Sequence, residues 1–448
     1  MTAEQKQKPR RLSAATRRRL RRALIGGVIA VPVLVGATFY AANHVPWFGA
    51  WLADALRSLI GTEAVAELEE FAYDLEDRYN RTFRSGEKPR SYWEAPSGSA
   101  VAPVGSVPVA GGATGSATGT QELPSPSASA GAAGSATGAA GSATGAAGRA
   151  PFPPEDVGPF DPKFAAAGDG VWVPVPVPGV SAQAGSGEGG KPSSNTEPLF
   201  YKTLIHPDGK RPWAEVLAVA MNPKTALLHL VAGVHEPHGT APGSGELKRT
   251  GLIPDTDVPS LMAAWNGGFK EEHGHYGMKL DGVLVVRPRA DACTIAMNAD
   301  ETLRIAPWKA VSDIEGTFKW WRQTPSCLVD GGKLHPALFD ENTHWGAAIG
   351  GGTVVRRSAL GLSEDGGVLY MVVSNSTSPR TLALAMQHLR AYSAAQLDIN
   401  YSYPRYVLFP KADSGQREAT SLFEGFKVDK DDYLRTANPR DFFYVTRR

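Results

Sequence analysis

Apolar residues are spaced along the chain in different ways, and each spacing predicts a different element. Between 23 and 42 they are nearly continuous: 20 residues carry no charge. A helix rising about 1.5 Å per residue crosses a bilayer core of about 30 Å at that length. Gly26, Gly27, Pro32 and Gly36 within it are tolerated in membrane helices. Further on, Val65, Leu68, Phe71, Ala72, Leu75 and Tyr79 recur every three or four residues behind Thr62 as a cap, with Glu and Asp between them. This pattern predicts an amphipathic helix.

Beyond residue 197 the spacing shortens to β-branched and aromatic runs broken by Gly, Asn and Asp, the signature of strands and turns. Strands are expected at 200–205, 216–220, 226–231, 261–265, on both sides of Asp281-Gly282, at 293–305 with a fold-back at Asn298-Ala299-Asp300, and at 326–329. The runs at 406–409 and 442–445 are expected to complete a sheet edge. A further pair lies on either side of Glu364-Asp365-Gly366-Gly367, and it leads into a helix with Ser378 as N-cap and Pro379 in the first position. Leu382, Ala385, Met386, Leu389 and Tyr392 form that helix's apolar face. Mostly strands with few helices, the domain is of the α+β class with a mixed, largely antiparallel sheet, preceded by one transmembrane helix and a disordered linker.

Composition sets the boundaries. The first 22 residues hold nine Lys and Arg against Glu4, so they carry +8 of a total of +1 and leave about −7 for the remainder. Such a balance excludes a general nucleic-acid surface. It also makes 1–22 a basic cytoplasmic tail, 23–42 a single-pass anchor in the lipid bilayer, and the rest extracytoplasmic, periplasmic or at the cell surface. A cleaved signal peptide is the competing reading, since Ala41-Ala42 offers small residues; Tyr40 breaks the Ala-x-Ala pattern and favours the anchor. Residues 46–84 read as a juxtamembrane helical segment whose 62–83 helix can self-associate or act as a plain stalk. From 95 to 196 Gly, Ala, Ser, Thr and Pro dominate, and Gly-Ser-Ala-Thr-Gly recurs at 115–119, 134–138 and 141–145. Such a stretch has too few bulky residues to bury a core, and the Val-Pro run at 173–178 should be extended polyproline II. The globular domain then spans 197–448. Cys293 and Cys327 either pair in an oxidising compartment or stay as two buried thiols.

Candidate chemistry gathers at strand ends. Asn266-Gly267-Gly268-Phe269 follows one strand, Asp281-Gly282 joins two, Cys327-Leu328-Val329-Asp330-Gly331 ends another, and Arg357 opens the run that leads to Asp398 and Ser402. An Asp before Gly is an ordinary turn residue, so each piece alone has a purely structural reading. His235-Glu236-Pro237-His238 has the wrong spacing for a zinc helix and is broken by Pro237. The acidic His-containing loop at 271–275 reads as polar surface, no paired-cysteine zinc spacing occurs, and Gly350-Gly351-Gly352 lacks a following Gly-Lys-Ser/Thr. No metal and no cofactor is expected.

Taken in order, these blocks resemble the phosphodiester glycosidase family. Its Asn-Gly-Gly-Phe/Tyr signature is matched at 266–269. Its Arg-Thr-Ala-Val-Gly-like strand corresponds to Arg357-Ser358-Ala359-Leu360-Gly361, and its closing Leu-Asp-Gly-Gly-Gly-Ser corresponds to Leu397-Asp398-Ile399-Asn400-Tyr401-Ser402. The matches cover most of 214–402 and none of 1–196. The resemblance implies hydrolysis of a glycan, a glycosyl phosphodiester or a cell-wall polymer. It implies Asp398, Asn266 and Asp330 as catalytic candidates and Arg357, Asp281, Gly267, Gly268 and Ser402 as substrate ligands. Acids near an anomeric carbon supply proton transfer, and an Arg can hold phosphate at two points. Three glycines of the closing motif are replaced by Ile399, Asn400 and Tyr401. A non-catalytic protein that binds carbohydrate or an envelope partner is therefore the alternative.

Overall fold

A computed structural model describes residues 62–91, 151–176, 198–340, 354–399, 403–412 and 414–448, with Leu52, Ala55, Leu56, Leu59, Trp93 and Trp345. The basic tail, the proposed anchor, residues 95–150 and the closing-motif residues Asn400, Tyr401 and Ser402 lie outside the described residues. Among the described residues no helix is long and apolar enough to cross a membrane.

Among the described residues, three sheets make the domain. The largest has eight strands in the order β1 (Val173–Pro174), β2 (Phe200–Ile205), β3 (Val216–Met221), β14 (Leu369–Thr377), β13 (Val355–Leu362), β15 (Ser393–Gln396), β11 (Val329–Asp330) and β12 (Lys333–Leu334). A second runs β7 (Val283–Val286), β6 (Met278–Leu280), β10 (Phe318–Thr324), β8 (Cys293–Asn298) and β9 (Leu303–Pro307). The third runs β17 (Thr420–Ser421), β16 (Tyr406–Leu408), β5 (Leu261–Asn266), β18 (Phe442–Arg447) and β4 (Ala226–Val231). Neighbouring strands pair antiparallel throughout. The described helices are α1 (Thr62–Phe83), a one-turn α2 (Ala337–Asp340) and α3 (Pro379–His388), with several 3-10 turns.

Burial explains the uninterrupted apolar strands. Inner-face residues Val219, Leu360, Met371 and Val373 of the large sheet pack with Trp265, Phe443 and Ile295 of the other two. On the opposite face Ala218, Ala359 and Val372 pack under Leu382, Ala385 and Met386 of α3. A sheet covered on both sides needs no polar face, so β3 and β13 are buried at every position. As expected, Ser378 caps α3 by accepting from Thr381 N at 3.1 Å. The helix rides close to the sheet at Gly361, where an added Cβ would lie 2.2 Å from Met386 Cε.

Two expectations change in the structure. The runs at 406–409 and 442–445 do not complete an edge: β18 lies between β5 and β4, and β16 between β17 and β5. Their aromatic residues are core, with Tyr406 stacked on Trp265 at 5.6 Å. The range read as linker contains a packed piece, residues 151–176. There β1 pairs with β2, Val171 and Trp172 are buried, and Asp169 Oδ2 meets His206 Nδ1 at 2.8 Å with both side chains out of solvent. Buried apolar side chains and a paired strand make this piece part of the domain despite its Pro and Gly content. Of the two states left open for Cys293 and Cys327, 34 residues apart, the structure has the disulfide.

Candidate functional site

The strand β5 ends on Asn266, and the chain leaving it meets the segment that follows β15. Asn266 Nδ2 donates to Ser358 Oγ at 2.9 Å, Gly267 O at 3.3 Å and Asp398 O at 3.4 Å. Its Oδ1 accepts from Arg405 N at 3.4 Å and lies 3.2 Å from Ser358 Oγ. Asp398 N in turn donates to Gly267 O at 3.0 Å. Two of the blocks singled out in sequence are thus stitched together where the largest and third sheets meet.

Asp398 is not left as a bare carboxylate. Its Oδ1 accepts from Ile399 N at 2.9 Å, and its Oδ2 is ion-paired with Arg440 Nη1. That guanidinium lies over the Tyr403 ring, its Cζ 3.6 Å from the ring centroid. Both partners of the pair are nearly out of solvent, with side chains 6% and 4% exposed. Burial raises the Asp398 carboxyl above the usual carboxylate range, and the neighbouring Arg440 charge only partly offsets it.

The residue after Arg440 makes a second ion pair. Asp441 takes Arg322 at two points, Nε at 3.0 Å and Nη2 at 3.3 Å, and also accepts from Gly268 N at 2.9 Å. The remaining Arg322 donors reach Phe269 O, Tyr276 O and Gln323 O. Every arm of the buried guanidinium is therefore engaged. This pair explains the two glycines. A Cβ on Gly267 would sit 2.3 Å from Asp441 Oδ2, and one on Gly268 would sit 2.6 Å from Arg322 Cζ. The expected reason for glycine here was close approach of backbone to a substrate; the observed close approach is to the protein's own Asp441 and Arg322.

The remaining hollow among Asn266, Gly267, Asp398, Tyr403 and Arg440 holds about 10 Å³, room for about one water. Larger hollows lie elsewhere. One of about 530 Å³ runs beside β4, between His229, Thr250, Leu280 and Tyr444, and Asp281 lies on it. Another of about 260 Å³ separates α1 from Trp213, Arg356 and Asn375.

The structure therefore brings together Asn266, Gly267, Gly268 and Asp398 from the expected set and leaves out three others. Asp281 occupies the β6–β7 turn with φ +52°. Asp330 is exposed at the β11–β12 turn, where Gly331 and Gly332 take positive φ; both acids are turn residues, as their Asp-Gly context allows. Arg357 is buried on the face of β13 opposite Ser358, because side chains alternate along a strand. It donates to Thr377 O, Trp345 O and Gln396 Oε1, and burial pushes its guanidinium down to about 9. That placement corrects its expected role as a phosphate ligand: it ties the sheet to the Trp345 segment. Ser402 lies outside the described residues.

Sequence reasoning missed Arg440, Asp441, Arg322 and Tyr403. A signal existed for the first three. Arg440-Asp441 stands directly before the aromatic run 442–445, and Arg322 follows Trp320-Trp321 inside a strand. A charge pressed against so much apolar sequence has to find a buried partner.

No family model matches the chain, and none of the curated proteins does. Among solved structures, the catalytic domain of zebrafish N-acetylglucosamine-1-phosphodiester alpha-N-acetylglucosaminidase, auto-inhibited by its pro-peptide, is similar at 14% identity and a TM-score of 0.35. The match covers 57% of this chain and 85% of that one. A hypothetical protein from Synechocystis matches at 13% identity and a TM-score of 0.31, over 56% of this chain and 62% of its own. An exported protein from Burkholderia pseudomallei matches at 10% identity and a TM-score of 0.26, over 52% and 74%. These are weak likenesses of structure, to a glycosidase domain, a hypothetical protein and an exported protein.

Proposed function

We propose that the chain is an extracytoplasmic, carbohydrate-directed protein of glycosidase-like fold. Its substrate class is a glycan, a glycosyl phosphodiester or a cell-wall polymer, and Asp398 is its working acid. The observation that carries this reading is the meeting of Asn266 and Asp398 at 3.4 Å beside Arg440. A carboxyl can serve as general acid and a guanidinium can hold a phosphate, which are two of the parts that cleavage of a glycosyl phosphodiester uses.

Chemically, an anionic phosphodiester competes with the Asp398 carboxylate for Arg440, which can hold a phosphate at two points. Asp398, released from Arg440 and with its carboxyl already raised by burial, takes up a proton from solvent, gives it to the leaving oxygen, and can take the proton of the attacking water in its place. Water completes the hydrolysis, leaving a free sugar and a phosphomonoester. Asn266 holds the Gly267 and Asp398 backbones in register. The test is turnover of p-nitrophenyl glycosides and sugar phosphodiesters by the full-length protein. Activity that disappears in Asp398→Asn supports the reading; activity that survives this change removes Asp398 from the mechanism.

A second reading rests on the about 10 Å³ left at the site. In that reading the pair stays shut and the protein binds carbohydrate without cleaving it. Calorimetric binding of glycan fragments without turnover, unchanged in Asp398→Asn, would favour it.

A further inference from the structure

The hollow beside β4, at about 530 Å³, falls within the roughly 300–1,000 Å³ of small-ligand pockets; the one at Asp398 is far below it. The buried part of its lining is apolar. Trp320 and Leu280 are 7% exposed there and Tyr444 3%. His229 is stacked on Tyr444, with ring centroids 4.5 Å apart and planes 10° from parallel. The polar ends of both rings are satisfied within the chain: Tyr444 Oη donates to Asp257 Oδ2, and His229 Nε2 meets Thr446 Oγ1 at 2.8 Å. Burial lowers the His229 imidazole below its ordinary value, so it is uncharged at neutral pH. What the rings offer the hollow is carbon surface rather than charge.

The exposed part of the lining is of another kind. Lys248, Asp255 and Asp281 stand there, and among the described residues their side chains have no hydrogen-bond or ion-pair partner. Two carboxylates against one ammonium leave this edge net negative, which turns away a phosphate or a carboxylate. An aliphatic chain would desolvate the carboxylates with nothing to pair them. An uncharged sugar suits both halves: its C–H groups pack on the apolar lining, and its hydroxyls donate to the carboxylates. The hollow is also tied to the segment that carries Arg440. Gly233 follows its β4 residues, and a Cβ there would lie 2.3 Å from the Arg440 backbone carbon. Asn438 N donates at 2.8 Å to Gly251 O, between Thr250 and Leu252 of the hollow.

We propose that the groove beside β4 is a binding subsite for an uncharged glycan, whose hydroxyls are held by Asp255 and Asp281. The inference rests on the carbohydrate class proposed above, but not on hydrolysis at Asp398.

Calorimetric titration of the full-length protein, in a detergent without a sugar headgroup, with maltose, cellobiose and N,N′-diacetylchitobiose tests this. At least one disaccharide should bind, and Asp255→Ala with Asp281→Asn should weaken it about tenfold or more. Both residues are exposed, and Asn tolerates the positive φ of position 281, so circular dichroism should be unchanged. Leu252→Trp, at a half-buried position of the lining, fills the hollow without removing a polar group and should weaken the same binding. Asp398→Asn should leave it as it is. Sugar binding without turnover would therefore remove the acid role of Asp398 and keep the groove. Failure of all three disaccharides to bind overturns the proposal. Binding that persists in both groove variants overturns it as well, and so does binding lost only in Asp398→Asn, which would seat the sugar at the ion pair. Binding of tetramethylammonium in place of the sugars, weakened by the same groove variants, overturns it too, by making a cation the occupant.

Discussion

Asp441 grips Arg322 at two points, 3.0 Å and 3.3 Å, with both side chains essentially out of solvent, and the Asn-Gly-Gly turn is folded around that grip. Breaking a buried pair on one side leaves an uncompensated charge, which costs about 3–5 kcal/mol. Arg322→Met or Asp441→Leu alone should therefore lower the urea midpoint strongly. The two together should recover part of the loss, because neither charge is then stranded. Tryptophan fluorescence during urea unfolding reads all three variants. A double variant as unstable as the sum of the singles would show that the pair's other hydrogen bonds, not its charges, hold the turn.

The glycines make a sharper comparison. Gly268→Ala places a methyl 2.6 Å from Arg322 Cζ and should cost about 1–3 kcal/mol through forced movement in a packed interior. Gly316→Ala meets nothing within 4 Å and should be close to neutral in the same thermal melt. Equal melting temperatures for the two would mean that Arg322 shifts freely.

Stability should also depend on pH through Asp398. Its folded carboxyl lies above the unfolded one, so between the two values the folded chain holds more protons than the unfolded chain. Stability from this group is then greatest below about 3.9, the ordinary Asp value, and is lost as pH rises through the folded value. Asp398→Asn should remove that fall, and Arg440→Gln, which strips away the lowering influence, should move it to higher pH. Denaturation midpoints measured from pH 3 to 8, roughly the range that brackets a raised carboxyl, would decide. A wild-type curve that rises over the same window would mean Arg440 outweighs burial.

The disulfide offers a fourth measurement. Cys293 opens β8 and Cys327 precedes β11, so the bond ties the second sheet to the first. Closing a segment of 34 residues' separation is worth about 3–4 kcal/mol on the chain-entropy account. Cys293→Ala with Cys327→Ala should lower the unfolding free energy by that order, read in urea. A loss below about 1 kcal/mol would place the constraint elsewhere in the chain.

What could be read in advance follows the range of the forces involved. Most strand runs, the capping of α3 by Ser378 and the Asp-Gly turns are local, and the structure has them where the pattern put them, but the strand β10 was not expected, only Val329 of the run at 326–329 is in a strand, and α3 ends at His388, before Tyr392. The approach of Asn266 to Asp398 was legible because both stand at strand ends within ordered blocks. The partners of that site were not. Arg322 and Asp441 are 119 residues apart, and Asp398 and Arg440 42, and nothing local announces such pairings. Arg357 was misplaced for a different reason: alternation in β13 decides its face, and the register of that strand was set by contacts with its neighbours. The packed piece at 151–176 was hidden by composition, since Gly and Pro suggest a tether even where Trp172 and Val175 fill the core.

The docking of Val173–Pro174 along Phe200–Ile205 has a practical side. A shortened protein begun at residue 197 would lack Trp172 and Asp169, leaving His206 buried without its carboxylate. Its first strand would present bare backbone donors and acceptors at the rim of an eight-stranded sheet, an invitation to sticky end-to-end association between molecules. Starting at about residue 151 keeps that rim covered, so the choice of first residue decides whether the isolated domain stays in solution.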